Sequence, residues 1–243
     1  MNQKIEPLLE ARDIHVAYGD LKILHGISMS FGAGEIVAIM GPNGCGKTTM
    51  LKSMFGLAPV TSGSVWYHGK HIHPVAHEMV ASGVAYVPQG RRVFTQLTVA
   101  ENIEMGGYFL NNATEVRRRM AEVLDIFPAL KPKFNEMSGG LSGGQQQMLA
   151  IARGLMTNPD VLLLDEPTLG LSPKIVNEVF EVVSNINKTR GTTVVIVEHN
   201  IKSLLPITDR IYVMDKGVLL YDGTASNFQK TNLFEEVFLG RTA

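Results

Sequence analysis

The stretch Gly41-Pro-Asn-Gly-Cys-Gly-Lys-Thr48 decides the fold, because it follows the apolar run Glu35–Met40 and opens a segment of helical pattern. A strand before the glycines and a helix after them are the context that a phosphate-binding loop requires. The glycines let backbone N–H groups surround phosphate oxygens, and the helix start adds partial positive charge. The alternative is an unrelated glycine-rich turn. Since Gly averages about 7% of residues, a chance match in this length is expected in roughly one case in a hundred.

The loop therefore predicts a nucleoside triphosphate site. Lys47 is expected to reach the β- and γ-phosphates as a point charge, and Thr48 to offer its hydroxyl to Mg²⁺. Cys45 is expected to have no catalytic task, although a bulky thiol reagent on it should block the site. The residues predicted to contact the nucleotide are Gly41, Pro42, Asn43, Gly44, Cys45, Gly46, Lys47, Thr48 and Thr49.

A second apolar run, Val161–Leu164, ends in Asp165 and Glu166. In open α/β sheets ligands bind beyond the carboxyl ends of the strands, so these acids are expected at the same edge as the phosphate loop. Asp165 is predicted to hold Mg²⁺, and Glu166 to polarise the attacking water as general base. In isolation, two acids at an ordinary strand exit would be the preferred interpretation. Beside a phosphate loop, the catalytic interpretation is favoured.

The pattern of apolar residues predicts an α/β protein with a mainly parallel sheet, because short Val, Ile and Leu runs alternate with longer helical segments. The candidate strands are Glu35–Met40, Gly83–Val87, Val161–Leu164, Thr192–Val197 and Ile211–Met214. The stretch from Leu97 to Asn158 carries helical patterns and predicts an inserted helical subdomain. We expect a single domain over residues 1–243, with a nucleotide-binding core from residues 1–89 and 159–243 and a helical subdomain from residues 90–158.

Several helix starts are visible as a capping side chain that precedes an acid or amide by three residues. The pairs are Thr98 with Glu101, Asn112 with Glu115, and Ser142 with Gln145. A later helix opens at Ser172-Pro173 and stops at Gly191. The glycines after Ser142 leave backbone donors unobstructed, so this helix start can receive a phosphate. A bare helix start is the alternative.

Composition excludes several classes of protein. The chain has 22 basic and 23 acidic residues and a net charge of −1, which gives no overall field toward nucleic acid or anionic lipid. A single cysteine excludes an intrachain disulfide and favours a reducing compartment. Charged residues interrupt the N-terminus and the apolar runs are far shorter than the roughly 20 residues of a membrane helix. We expect a soluble cytoplasmic chain without a secretory signal; the interrupting residues are Lys4, Glu6, Glu10 and Arg12.

The pentapeptide Leu141-Ser-Gly-Gly-Gln145, between the phosphate loop and the acid-tipped strand, resembles the signature of ABC ATPases. The resemblance runs from about Leu8 to Gly240. It implies a P-loop NTPase core with an N-terminal antiparallel β portion, and ATP and Mg²⁺ as cofactors. It also implies a second ATPase subunit, identical or sibling, packed head to tail. Each nucleotide would then lie between one subunit's phosphate loop and the other's Ser142, Gly143, Gly144 and Gln145.

The same resemblance implies roles for three residues that would be interpreted as structural if each were considered alone. Gln89 matches the glutamine that touches Mg²⁺ and the water, and His199 the histidine that contacts the γ-phosphate and orients Glu166. Tyr18 matches the aromatic residue that stacks on adenine. The predicted catalytic residues are Glu166, His199, Lys47 and Gln89, and the predicted metal ligands are Thr48, Gln89 and Asp165.

Two features fit this resemblance less directly. Most ABC ATPases carry an aspartate in the loop after the catalytic glutamate that reaches across the dimer, and this chain has Ser172 there. We expect Ser172 to cap the following helix instead. The cluster of His68, His71, His73 and His77 lacks the spacing and cysteines of a metal site and is interpreted as solvated surface.

Three segments resemble the ATPases of branched-chain amino-acid importers and of their relatives in urea and short-chain amide uptake: Ala85–Phe94, Leu97–Asn102 and Asp165–Pro173. This implies permease partners that dock where Gln89–Phe94 begins the helical subdomain, and indirectly a substrate-binding receptor. The subunit would be peripheral on the cytoplasmic face of the inner cell membrane. An exporter or lipid-extracting system is the alternative within transport. An ABC ATPase of DNA repair or translation is disfavoured because no coiled-coil insert or tandem second ATPase unit is visible. A nucleotide-binding module without turnover is disfavoured because Glu166 and His199 are both present.

Overall fold

The computed structural model describes residues 7–199 and 201–231. Lys4 and Glu6, named for the N-terminus, and Gly240, named for the end of the resemblance, lie outside these residues. No helix in the described ranges combines the length and the hydrophobicity needed to cross a bilayer. The four clustered histidines, from His68 to His77, are all exposed.

The first sheet is antiparallel, with strand order β2-β1-β4-β5. Its strands are β1 (Leu9–Tyr18), β2 (Leu21–Phe31), β4 (Val60–Tyr67) and β5 (Lys70–Ile72). Buried residues alternate with exposed ones along β1, which is typical of a sheet with one face on the core. This sheet is the expected N-terminal antiparallel portion.

The second sheet has the order β10-β9-β3-β8-β7-β6, with β10 antiparallel to β9 and the other pairs parallel. Its strands are β3 (Ile36–Met40), β6 (Val84–Val87), β7 (Val161–Asp165), β8 (Thr193–Val197), β9 (Arg210–Asp215) and β10 (Val218–Thr224). Every residue of β3, β7 and β8 is buried, as expected for central parallel strands. The five strands predicted from sequence are confirmed to within one residue at each end.

The helices are α1 (Lys47–Phe55), α2 (Ala76–Ala81), α3 (Val99–Gly106), α4 (Ala113–Ile126), α5 (Gly143–Gly154), α6 (Pro173–Arg190), α7 (Ile201–Leu204) and α8 (Ala225–Phe228). Between β6 and β7 the chain forms α3, α4, α5 and three short 3-10 turns, and a single bridge joins Thr98 to Met137. The inserted helical region is therefore confirmed. The division at residues 89/90 and 158/159 stays a prediction.

The parallel sheet separates two apolar cores, which hold its carboxyl edge in place. Leu163 of β7 packs into the core shared with α1 and the antiparallel sheet, whereas Leu162 and Leu164 pack into the core shared with α5 and α6. Burying each such side chain contributes about 1.5–3 kcal/mol to the free energy of unfolding. The residues that follow β7 are thus carried by one of the most firmly buried strands of the fold.

Two of the predicted capping boxes are present in full, Thr98 with Glu101 and Ser142 with Gln145. Asn112 does cap α4, by accepting from the Thr114 amide at 2.9 Å. The predicted role of Glu115 in that cap is wrong, because its carboxylate pairs with two arginines farther along the same helix.

Ser172 occupies the N-cap position of α6 by its backbone, and α6 ends before Gly191 as predicted. Its side chain, however, makes no capping hydrogen bond. The side chain is exposed, so water can satisfy its hydroxyl, and Pro173 removes one of the N–H groups that need a partner. The prediction that the Ser172 side chain caps this helix is therefore wrong.

Candidate nucleotide site

The phosphate loop joins β3 to α1, and glycine is required at two of its positions. Gly41 and Gly46 have backbone φ angles of 153° and 106°. A Cβ at Gly41 would lie 2.1 Å from the carbonyl oxygen of Met214, and one at Gly46 would lie 2.7 Å from Cδ2 of Leu24. The loop can therefore pass this close to β9 and β2 only without side chains.

The loop borders a cavity of about 270 Å³ lined by Ile23, Asn43, Gly44, Gly46, Lys47, Thr48, Thr49 and Glu166. The first four N–H groups of any α-helix lack an intrahelical partner, so the start of α1 supplies donors here. Gly41, Pro42 and Cys45, also predicted as nucleotide contacts, are not among the lining residues. Ile23 was not expected from the sequence, since an apolar residue in a strand of another sheet carries no signal of its own.

Lys47 is buried, with 5% of its surface exposed, and its Nζ donates to the carbonyl oxygens of Gly41 and Pro42 at 2.8 and 2.9 Å. Burial lowers the pKa of Lys47. The carbonyl oxygens of Gly41 and Pro42 thus hold the ammonium against the loop. Lys47 is the first residue of α1, so the loop combines a fixed cation with the free N–H groups of a helix start, which suits a polyphosphate.

Asp165, at the end of β7, is bonded through both carboxylate oxygens. Thr48 Oγ1 donates to Oδ1 at 2.8 Å, and the Tyr86 hydroxyl donates to Oδ2 at 2.8 Å. Burial raises the pKa of Asp165, and the two hydroxyl donors oppose that rise. A hydroxyl and a carboxylate side by side are the hard oxygen ligands that Mg²⁺ prefers, so these residues fit the predicted metal.

Glu166 lies at the centre of the predicted catalytic group. Its Oε2 accepts from Gln89 Nε2 at 2.7 Å, and its Oε1 lies 2.8 Å from His199 Nε2. Its backbone is left-handed, with φ at 47°, and its amide donates to the Val197 carbonyl at 2.9 Å. The turn therefore directs the carboxylate at both partners; the resemblance had linked Glu166 to His199 but not to Gln89.

His199 is positioned by a carboxylate that sequence analysis missed. Glu198 is buried, and its Oε2 accepts from the His199 amide at 2.6 Å. Its Oε1 accepts from the Thr168 amide at 2.9 Å and from the Thr168 hydroxyl. Glu198 thereby ties the end of β8 to the loop that follows Glu166. An acid directly before a histidine at a strand end was the signal available in the sequence.

The signature residues lie apart from the phosphate loop of the same chain. Ser142–Gln145 and Tyr18 are both absent from the lining of the loop cavity among the described residues. A Cβ at Gly143 would lie 2.2 Å from Arg91 Nη1, and one at Gly144 would lie 2.6 Å from Ile175. The structure therefore gathers one group of predicted residues around Glu166 and leaves the signature turn against Arg91 and α6. Tyr18 ends β1 with about half of its surface exposed.

The chain is similar to known proteins over most of its length. The sequence profile of the family described as ABC transporter matches residues 24–169. The chain belongs to the ABC transporter family. Among curated proteins, the high-affinity branched-chain amino acid transport ATP-binding protein BraG of Pseudomonas aeruginosa is 38% identical over 234 residues, covering 96% of this chain and 100% of that protein. The probable branched-chain amino acid transport ATP-binding protein LivF of Archaeoglobus fulgidus is 37% identical, covering 96% and 99%.

Solved ABC transporter cassettes share the fold. The ADP conformation of MJ1267, an ATP-binding cassette of an ABC transporter, superposes with a TM-score of 0.87 at 27% identity and covers 97% of this chain and 99% of that one. A dimeric post-hydrolysis structure of the cassette MJ0796, bound to ADP and Pi, has a TM-score of 0.79 at 28% identity, with 89% and 98% covered. The predicted fold is confirmed, and the chain is an ABC-type ATPase whose hydrolysis is coupled to transport.

The thiol of Cys45 allows a test of the loop in this ABC ATPase. Cys45 is 3% exposed, and burial raises the pKa of its thiol. Because only the thiolate reacts, we expect N-ethylmaleimide to inactivate the ATPase slowly near pH 7 and faster as the pH rises toward about 9. ATP should slow the inactivation. Cys45→Ser, which removes the single cysteine of the chain, should be insensitive to the reagent. Equal inactivation with and without ATP would contradict this.

Proposed function

We propose that this chain is the ATP-hydrolysing subunit of a membrane importer for branched-chain amino acids. The observation that carries the proposal is the near full-length similarity, at 37–38% identity, to two proteins named as branched-chain amino acid transport ATP-binding proteins. The geometry around Glu166 supports turnover rather than binding alone. We place the subunit on the cytoplasmic face of the cell membrane, held there by permease subunits.

Nucleotide binding is assigned to the phosphate loop. Lys47 and the amides at the start of α1 bind the phosphates of ATP, and Tyr18 stacks on the adenine ring. Thr48, Gln89 and Asp165 hold Mg²⁺. When bound, the metal neutralises charge on the phosphate oxygens and orients them for in-line displacement.

Hydrolysis is assigned to the group centred on Glu166. Its carboxylate polarises the attacking water as general base. The hydrogen bonds from Gln89 and His199 hold that carboxylate in place. His199 contacts the γ-phosphate from the same edge, and Glu198 holds the backbone of His199 in place. Lys47 and Asp165 are buried, where the effective dielectric constant is lower than in water, so each charge acts more strongly on the transferred phosphoryl group.

The second half of the site is assigned to another subunit. The signature turn Ser142–Gln145 lies away from the loop cavity of its own chain, and the similar cassette MJ0796 has a dimeric structure bound to ADP and Pi. We infer that the α5 start of a partner, identical or sibling, binds the γ-phosphate through Ser142 and Gly144. ATP binding closes this dimer, and hydrolysis opens it.

A groove beside β6 is the proposed permease site. It has a volume of about 290 Å³, and its lining includes Tyr86, Phe94, Met105, Phe109 and Arg153. Three of these are apolar side chains that stay exposed, Phe94, Met105 and Phe109. Exposed apolar residues around a concave surface are typical of a protein interface. The lining also includes Pro88, the residue before Gln89, whose side chain contacts Glu166.

The proposal is tested by isolating the complex from native membranes and identifying the permease and receptor that copurify. We expect the receptor to bind leucine, isoleucine or valine. Phe109→Asp should reduce copurification of the permease, because it places a charge in the groove. Val218→Asp is the matched control, since Val218 is exposed on β10 at the opposite edge of the sheet. If the receptor binds urea or short amides instead, the proposed cargo is wrong. If no membrane partner copurifies, the proposal that this chain serves an importer is overturned.

A further inference from the structure

The side chain of Tyr86, in β6, contacts the carboxylate of Asp165. Tyr86 pairs with Leu163 across the parallel ladder of β6 and β7, two residues before Asp165. Its hydroxyl donates to Asp165 Oδ2 at 2.8 Å, on the opposite side of the carboxylate from Thr48. The two hydroxyls therefore engage the two oxygens separately. Free rotation of this carboxylate would break at least one of the two bonds.

The ring of Tyr86 is itself held in place. It packs against Phe55 at the end of α1, with ring centroids 5.4 Å apart and planes inclined by 33°. The helix α1 begins at Lys47, so the same helix carries the phosphate loop at one end and the support of Tyr86 at the other. A tyrosine hydroxyl is protonated at neutral pH, so it can donate this hydrogen bond.

We propose that Tyr86 is a positioning residue for the metal site, which fixes the Asp165 carboxylate so that Oδ1 stays on the Thr48 side. The inference rests on the proposed function, which assigns Asp165 to Mg²⁺. Partners of a metal-binding carboxylate orient the ligand and tune its basicity, and their loss commonly lowers metal affinity or activity by about 10- to 100-fold. Tyr86 acts on the reaction only through Asp165.

The test compares ATP binding by the isolated chain with and without Mg²⁺, measured by calorimetry. In Tyr86→Phe, which keeps the ring and removes the hydroxyl, metal-free ATP affinity should stay within about twofold of the parent, whereas the gain in affinity on adding Mg²⁺ should fall by about 10- to 100-fold. The ATPase rate at saturating ATP should fall in parallel. Tyr67→Phe is the matched control, because the Tyr67 hydroxyl also bonds an aspartate, Asp160, away from the site.

Asp165→Asn separates the two proposals. If Asp165→Asn leaves the Mg²⁺-dependent gain unchanged, the metal assignment fails and the inference about Tyr86 fails with it. If Asp165→Asn removes the gain and Tyr86→Phe does not, only the inference about Tyr86 is overturned. In the double variant, Tyr86→Phe should add no further loss, since it acts through Asp165. A second, additive loss, or a loss of metal-free affinity, would show a structural role instead and would refute the inference.

Discussion

Glu166→Gln is expected to lower the ATPase rate by about 10²- to 10⁴-fold, the range contributed by a positioned general base. Glutamine has the same size, and the bonds to Gln89 and His199 can both be kept after either a turn of the Gln89 amide or a change of His199 tautomer. Glu166 lines the loop cavity, but glutamine keeps its size there, and Lys47 is not altered. ATP binding should therefore persist, and the closed ATP-bound dimer should accumulate because hydrolysis no longer opens it.

The measurement pairs steady-state turnover with size-exclusion chromatography in ATP. Glu181→Gln is the matched control, because it removes the same charge from an exposed position of α6. It should retain turnover and show no ATP-trapped dimer. Near-normal turnover in Glu166→Gln would rule out the general-base assignment, whereas lost turnover without a trapped dimer would rule out the proposed cycle of closure and release.

Lys47→Ala is expected to act earlier, on nucleotide binding itself. Hydrogen bonds to a charged group are worth about 1.5–3 kcal/mol each, which corresponds to about 10- to 100-fold in affinity. Among the described residues that line the cavity, Lys47 is the only cation, so no neighbouring cation can replace it. ATP affinity measured by calorimetry should fall by this factor, and turnover with it.

The control is Lys188→Ala, which removes an exposed lysine from the last turn of α6, away from the cavity. It should bind ATP as the parent does. Comparable ATP affinity in Lys47→Ala and in the parent would show that the loop binds phosphate through backbone donors alone. Thermal unfolding of both variants checks that a weaker affinity does not report a damaged fold.

Local signals explain why much of the fold was predictable. The strands β3, β7 and β8 are short apolar runs bounded by polar or glycine-rich turns, and the start of α5 is a capping box visible in four consecutive residues. Because parallel strands end at one edge of a sheet, the convergence of Lys47, Asp165 and Glu166 followed from their positions after the carboxyl ends of predicted strands. These predictions needed no knowledge of side-chain orientation.

The supporting contacts of the site were not predictable in the same way. Tyr86 meets Asp165 across 79 positions of sequence, and Glu198 meets Thr168 across 30. Both contacts depend on strand register and on which way a side chain turns, which no periodicity encodes. The Ser172 hydroxyl failed as a cap for a related reason, because an exposed hydroxyl can bond to water as well as to the helix. The complementary half of the site is proposed to come from another subunit, which a single chain does not show.

The left-handed backbone of Glu166 has a consequence for engineering this protein. That conformation costs a residue with a side chain about 1–2 kcal/mol, a cost that glycine avoids. Domains are stable by only about 5–15 kcal/mol, so the strain is a sizeable fraction of the whole. A search for heat-tolerant variants judged by folding alone would favour glycine at position 166 and discard the carboxylate. Screens for thermal stability in this chain must therefore measure ATPase activity as well as thermal unfolding.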